Sequence, residues 1–151
     1  MQRTVTHSEL ETEHMGRDLA QALSADPALP RYIALFGDLG AGKTAFTRGF
    51  VSALIPGARV KSPTFSIVKE YRGESVRVFH FDMYRIESED DLYGIGYEDY
   101  LRREGFIVVE WPEKIPYAIP PSCIRVRIER SGGSPDERIL SIEYPGNEVS
   151  S

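Results

Sequence analysis

The residues with the clearest chemistry are Gly37-Asp38-Leu39-Gly40-Ala41-Gly42-Lys43-Thr44, which match G-x-x-x-x-G-K-[ST] without departure. At average composition about one chain in two hundred of this length would contain such a match by chance, so it carries weight on its own. Glycines leave consecutive amide N–H groups free to face phosphate oxygens, and a helix starting at the end of the loop adds its positive pole. Lys43 is then assigned to the β and γ phosphates and the Thr44 hydroxyl to Mg²⁺, with ATP as the nucleotide. The competing reading is a glycine-rich turn with an exposed lysine, and the elements on either side argue against it.

A phosphate loop needs further groups to hold magnesium and orient water, and these come from the carboxyl ends of neighbouring strands. Glu110 directly follows the apolar run Phe106 to Val109 and reads as the acid at the magnesium site, in place of the more usual Asp. Its plainer reading is a charged residue at a strand end. Asp82 ends His80-Phe81-Asp82 and is a candidate catalytic carboxylate; capping the next turn explains it almost as well. Thr64, in Ser62-Pro63-Thr64, is a candidate γ-phosphate sensor, with a loop-ending hydroxyl as the equal alternative. Arg85 suits either transition-state charge or a structural ion pair. His80 reads as a packed strand residue, and Trp111 as core or interface. Ser8 and Glu113 are assigned to the neighbourhood of the adenine only because their segments can reach the same sheet edge.

The elements that must position these groups follow from pattern. Tyr32 to Phe36 is a continuous apolar pentad, as in a strand buried on both faces, and Phe46, Phe50, Val51 and Leu54 share one face of the helix that follows the loop. Phe106 to Val109 predicts a second central strand beside the first. Thr64 to Tyr71 and Ser75 to Phe81 predict a hairpin, and so do the alternating segments around Ile124–Ile128 and Leu140–Tyr144. Ser8 and Glu11 have capping-box spacing, which starts a helix with Met15, Leu19, Ala22 and Leu23 inward. The acidic stretch Glu87 to Asp91 opens a short helix. The expected organisation is one domain over residues 1–144, with 145–151 a disordered tail.

Composition narrows the function. The 151 residues carry a formal net charge of −5, so strong binding to nucleic acid by this chain alone is disfavoured. The single cysteine, Cys123, forms no internal disulfide, and the expected compartment is a reducing cytoplasm with no membrane association. The initial segment MQRTVTHSELETEH has no apolar signal core.

Taken in order, GDLGAGKT, SPTF, HFDMYR and VVEWPEK closely resemble the bacterial TsaE family, and the likeness extends over roughly Thr4 to Tyr144. The first motif is widespread; the ordered set of four in so short a chain is far more specific. The resemblance implies an α/β, P-loop NTPase-like three-layer fold whose central mixed sheet has a parallel core and antiparallel flanking strands. It implies Lys43 at the phosphates, Thr44 and Glu110 at magnesium, and Asp82 and Thr64 near the γ-phosphate. It further implies an ATPase of tRNA threonylcarbamoyladenosine modification that works with the TsaD and TsaB proteins. Such a protein meets tRNA only through that complex, and its ATP turnover resets the assembly.

Two rivals remain at this level. A small-molecule kinase uses the same loop with Asp82 as base, but few residues are left for an acceptor pocket and lid. A non-hydrolytic binding module would let nucleotide merely fix a docking surface. A GTPase is disfavoured, since the N-K-x-D guanine motif needs an asparagine and the only one is Asn147.

Overall fold

A computed structural model describes residues 1–38, 40–63 and 66–146. In chain order the elements are β1 (Gln2–Thr6), α1 (Glu9–Ala25), β2 (Tyr32–Phe36), α2 (Lys43–Leu54), β3 (Val68–Arg72), β4 (Arg77–Asp82), α3 (Glu89–Gly94), α4 (Tyr97–Arg102), β5 (Phe106–Glu110), β6 (Ile124–Arg130) and β7 (Arg138–Glu143). Two 3-10 turns, Pro112–Lys114 and Pro116–Ala118, lie between β5 and β6. The strands form one sheet in the order β1-β7-β6-β2-β5-β4-β3. The strands from β6 to β4 in that order are mutually parallel, while β3, β7 and β1 add antiparallel flanks.

Side-chain alternation divides the interior into two layers. From β2, Ile33 and Leu35 join the helices α1 and α2 through Leu19, Leu23, Phe46 and Phe50. Tyr32 and Ala34 face the other way, with Phe79, Phe81, Leu92 and Tyr97. A strand pentad apolar at every position therefore sits where both sheet faces are covered. On the second face the Tyr97 hydroxyl donates to the Ala118 carbonyl at 2.9 Å and lies 2.7 Å from the Tyr32 hydroxyl, tying α4 and the second 3-10 turn to the sheet. Burial raises the pKa of Tyr97 to about 12, so the link stays protonated at physiological pH.

Helices α1 and α2 meet through glycine. A Cβ placed on Gly49 would lie 1.8 Å from the Glu13 carbonyl oxygen, and one on Gly16 would lie 2.0 Å from that of Phe46. Arg48 bridges the same helices through Glu9 and Glu13. The backbones approach this closely only because both side chains are missing.

Some local expectations shift. Ser8 caps α1 by accepting from the Glu11 N–H, but the Glu11 carboxylate reaches the N–H of His7 instead of that of Ser8. Ala22 is exposed, and Ala20, two residues earlier and on the opposite side of the helix, is buried in its place. The strand expected from Thr64 begins at Val68, because Ile67 takes a positive φ of 68°, which breaks the extended run; Thr64 itself lies outside the described residues. Likewise β4 starts at Arg77, not Ser75. Helix α4 has no counterpart among the expected elements. Among the described residues, no helix is long and apolar enough to cross a membrane.

Candidate nucleotide site

The parallel strands deliver their carboxyl ends to one edge of the sheet. In register, Leu35 of β2 lies beside Glu110 of β5, and Glu110 lies beside Asp82 of β4. The chain leaving β2 turns through the glycine-rich loop into α2, so the loop and both carboxylates meet at that edge. A cavity of about 420 Å³ opens there, lined by Gly40, Gly42, Lys43, Thr44, Asp82 and Glu110 among others. That is within the size range of small-molecule sites.

The loop conformation depends on glycine where the backbone demands it. Gly42 caps α2 with φ of 112°, a left-handed conformation that side chains resist. Two arginines from the last hairpin hold carbonyls of the loop. Arg138 Nε donates to the Ala41 carbonyl at 2.8 Å, and Arg130 donates to the Gly40 carbonyl at 3.2 Å. Because a trans peptide points its N–H opposite its C=O, anchoring the Ala41 carbonyl turns the Gly42 N–H the other way. Alternating arginines on a β-hairpin read as a solvated face, so sequence pattern gave no hint of this clamp.

Lys43 is only 5% exposed, and its ammonium has no hydrogen-bond partner among the described residues. Burial lowers its pKa below 10.5, opposed by the nearby charges of Glu110, Glu113, Asp82 and Asp38. The Nζ atom instead rests 3.9 Å from the centre of the Trp111 ring. Trp111 follows β5 with φ of 57°, uncommon for a bulky side chain, and packs beside Tyr84 at a ring separation of 5.0 Å. A polyanion entering the cavity must compete with the ring for that ammonium. Emission from Trp111, the sole tryptophan, is therefore expected to change when ATP is titrated in; constant emission at saturating nucleotide would show that the contact persists.

The carboxylates are buried too. Glu110 is 4% exposed, and its Oε2 lies 2.6 Å from Nε2 of His80, which is completely buried. Asp82, 6% exposed, accepts from the Tyr84 N–H at 3.0 Å, so it caps the next turn and lines the cavity at once. Thr44 and Glu110 both bring hard oxygen donors to the cavity lining, a donor set suited to Mg²⁺, which keeps several water or phosphate ligands.

The remaining assignments divide. Leu39 and Thr64 lie outside the described residues, while Ser62 next to the latter lines the cavity. Gly37 packs against β6, where a Cβ would fall 2.8 Å from the Ile128 carbonyl oxygen. Ser8 is occupied as a helix cap, and the residues of α1 that line the cavity are Glu9 and Thr12. Glu113 does not line it, although its charge acts on Lys43. Arg85 is exposed, and the arginines that do line the cavity are Arg48 and Arg138.

A buried lysine at the start of a helix, a glycine-built turn before it and two acids on adjacent parallel strand ends define an α/β protein with a P-loop NTPase-like fold. Family comparison narrows this. The family model for "Threonylcarbamoyl adenosine biosynthesis protein TsaE" matches residues 6–139, and the chain belongs to the TsaE family. It is 39% identical over 115 residues to the tRNA threonylcarbamoyladenosine biosynthesis protein TsaE of Bacillus subtilis, covering 76% of this chain and 70% of that protein. It is 34% identical over 124 residues to the protein of the same name from Rickettsia typhi, covering 82% and 83%. The crystal structure of Bacillus subtilis YdiB superposes with a TM-score of 0.76 at 31% identity, over 97% of this chain and 87% of that one.

Proposed function

We propose that the chain binds ATP with Mg²⁺ at residues 37–44 and hydrolyses it as the ATPase component of tRNA threonylcarbamoyladenosine modification in the cytoplasm. The observation that carries this reading is the Lys43 ammonium, buried without a hydrogen-bond partner among the described residues, beside two strand-end carboxylates. An unpaired buried charge is costly, and a triphosphate tail is the kind of ligand that offsets the cost. The names of the relatives supply the pathway.

In this mechanism the loop amides and Lys43 grip the β and γ phosphates, and Thr44 and Glu110 would hold Mg²⁺, which when bound would offset the negative charge that develops as the γ-phosphoryl group departs. Asp82 orients the attacking water, with its carboxylate fixed by the Tyr84 N–H. The chain's net charge of −5 fits a protein that leaves the RNA to TsaD and TsaB and uses turnover to reset their complex. The arrangement of the isolated chain, with Lys43 against Trp111, favours slow turnover until a partner remodels the mouth.

The deciding experiment measures phosphate release from ATP by the chain alone and with TsaD and TsaB added. A slow basal rate that rises several-fold with both partners is expected. A fast rate indifferent to them would remove the regulatory role, and phosphate transfer to an acceptor would make the protein a kinase.

A further inference from the structure

The mechanism above uses Glu110 but leaves its neighbour unexplained. His80 lies on β4 between Val78 and Asp82, on the sheet face covered by α1 and α2, and is 0% exposed. Its strand neighbour across the parallel pairing is Val108, two residues before Glu110. An imidazole there is a costly choice for packing alone. One nitrogen, Nδ1, has no hydrogen-bond partner among the described residues, and an aliphatic side chain would fill the space without that penalty. The other, Nε2, meets Glu110 Oε2 at 2.6 Å.

We propose that His80 is a positioning residue that fixes the Glu110 carboxylate for the divalent ion, which rests on the assignment of Glu110 made above. A carboxylate accepts, so Nε2–H donates. The bond takes one lone pair of Oε2 and fixes the orientation of the carboxylate, leaving Oε1 clear of that contact to meet the ion. Glutamate has one more rotatable bond than the aspartate usual at this site. The His80 bond removes the freedom that the extra methylene adds. Imidazole-to-carboxylate support behind a metal ligand typically changes metal affinity or activity by about 10- to 100-fold.

The test uses Mn²⁺ as the probe ion. Nucleotide affinity for ADP is measured by calorimetry in EDTA and in Mn²⁺, for the parent chain, His80→Leu and His80→Gln. Leu removes the donor while keeping an apolar filler; Gln can return an N–H close to the position of Nε2. For His80→Leu the Mn²⁺-dependent gain in affinity should fall about 10-fold or more, with affinity in EDTA within about twofold of the parent. His80→Gln should recover most of the gain. An undiminished gain in His80→Leu, or equal losses with and without Mn²⁺, would overturn the positioning role. So would a His80→Gln protein no better than His80→Leu. If the parent itself shows no Mn²⁺-dependent gain, it is instead the assignment of Glu110 to the ion that fails.

Discussion

Lys43→Met is expected to lose nucleotide affinity by about 100-fold or more while melting at or above the temperature of the parent chain. The two effects come from one cause. The ammonium is held out of water without a hydrogen-bond partner among the described residues, and burial has already lowered its pKa, so in the absence of ligand its charge works against the fold. Methionine keeps the aliphatic stem and removes the charge, and so spares the packing around α2. Calorimetric titration with ATP and a thermal melt of the same preparation check both halves. Retained affinity would mean that the ammonium does not meet the phosphates. A melt several degrees lower would mean that its contact with Trp111 stabilises the fold more than desolvation destabilises it.

Glu110→Ala should reduce phosphate release by about 100-fold or more and also destabilise the fold by about 1–3 kcal/mol. The stability loss arises because His80 then has neither ring nitrogen paired in a fully buried position. Glu110→Gln separates the two effects. Its amide oxygen still accepts from Nε2, so its urea midpoint should stay near that of the parent, yet a neutral group serves the cation poorly. Both variants should therefore turn over slowly, and only the alanine should unfold early. If glutamine hydrolyses ATP at the parent rate, the negative charge of Glu110 has no part in catalysis.

The parts of this architecture that could be read in the chain are those with local, redundant signals. Tyr32 to Phe36 and Phe106 to Val109 are apolar at every position, which only a strand covered on both faces tolerates, and in the sheet they lie side by side. The glycine spacing around Lys43 required the turn into α2. The family resemblance supplied the mixed sheet that these segments build. What the sequence could not convey depends on pairs distant along the chain. Nothing in HFDMYR says that His80 meets a residue thirty positions later, because burial and partner emerge only when β4 and β5 align. The same holds for Arg138 and the Ala41 carbonyl, ninety-seven positions apart. Strand edges failed for a different reason: Ile67 has strong strand propensity, but it occupies a left-handed turn because its amide reaches back to the Pro63 carbonyl at 2.7 Å.

The pairing of β1 with β7, Gln2 opposite Ile142 and Thr6 opposite Arg138, joins strands far apart in the sequence within one sheet. β6 also closes the flank of β2. During synthesis β7 must therefore emerge before β1 can pair with it and before Arg138 can reach the Ala41 carbonyl. Until β7 arrives, β6 presents an unpaired edge, the kind of surface on which newly made chains associate.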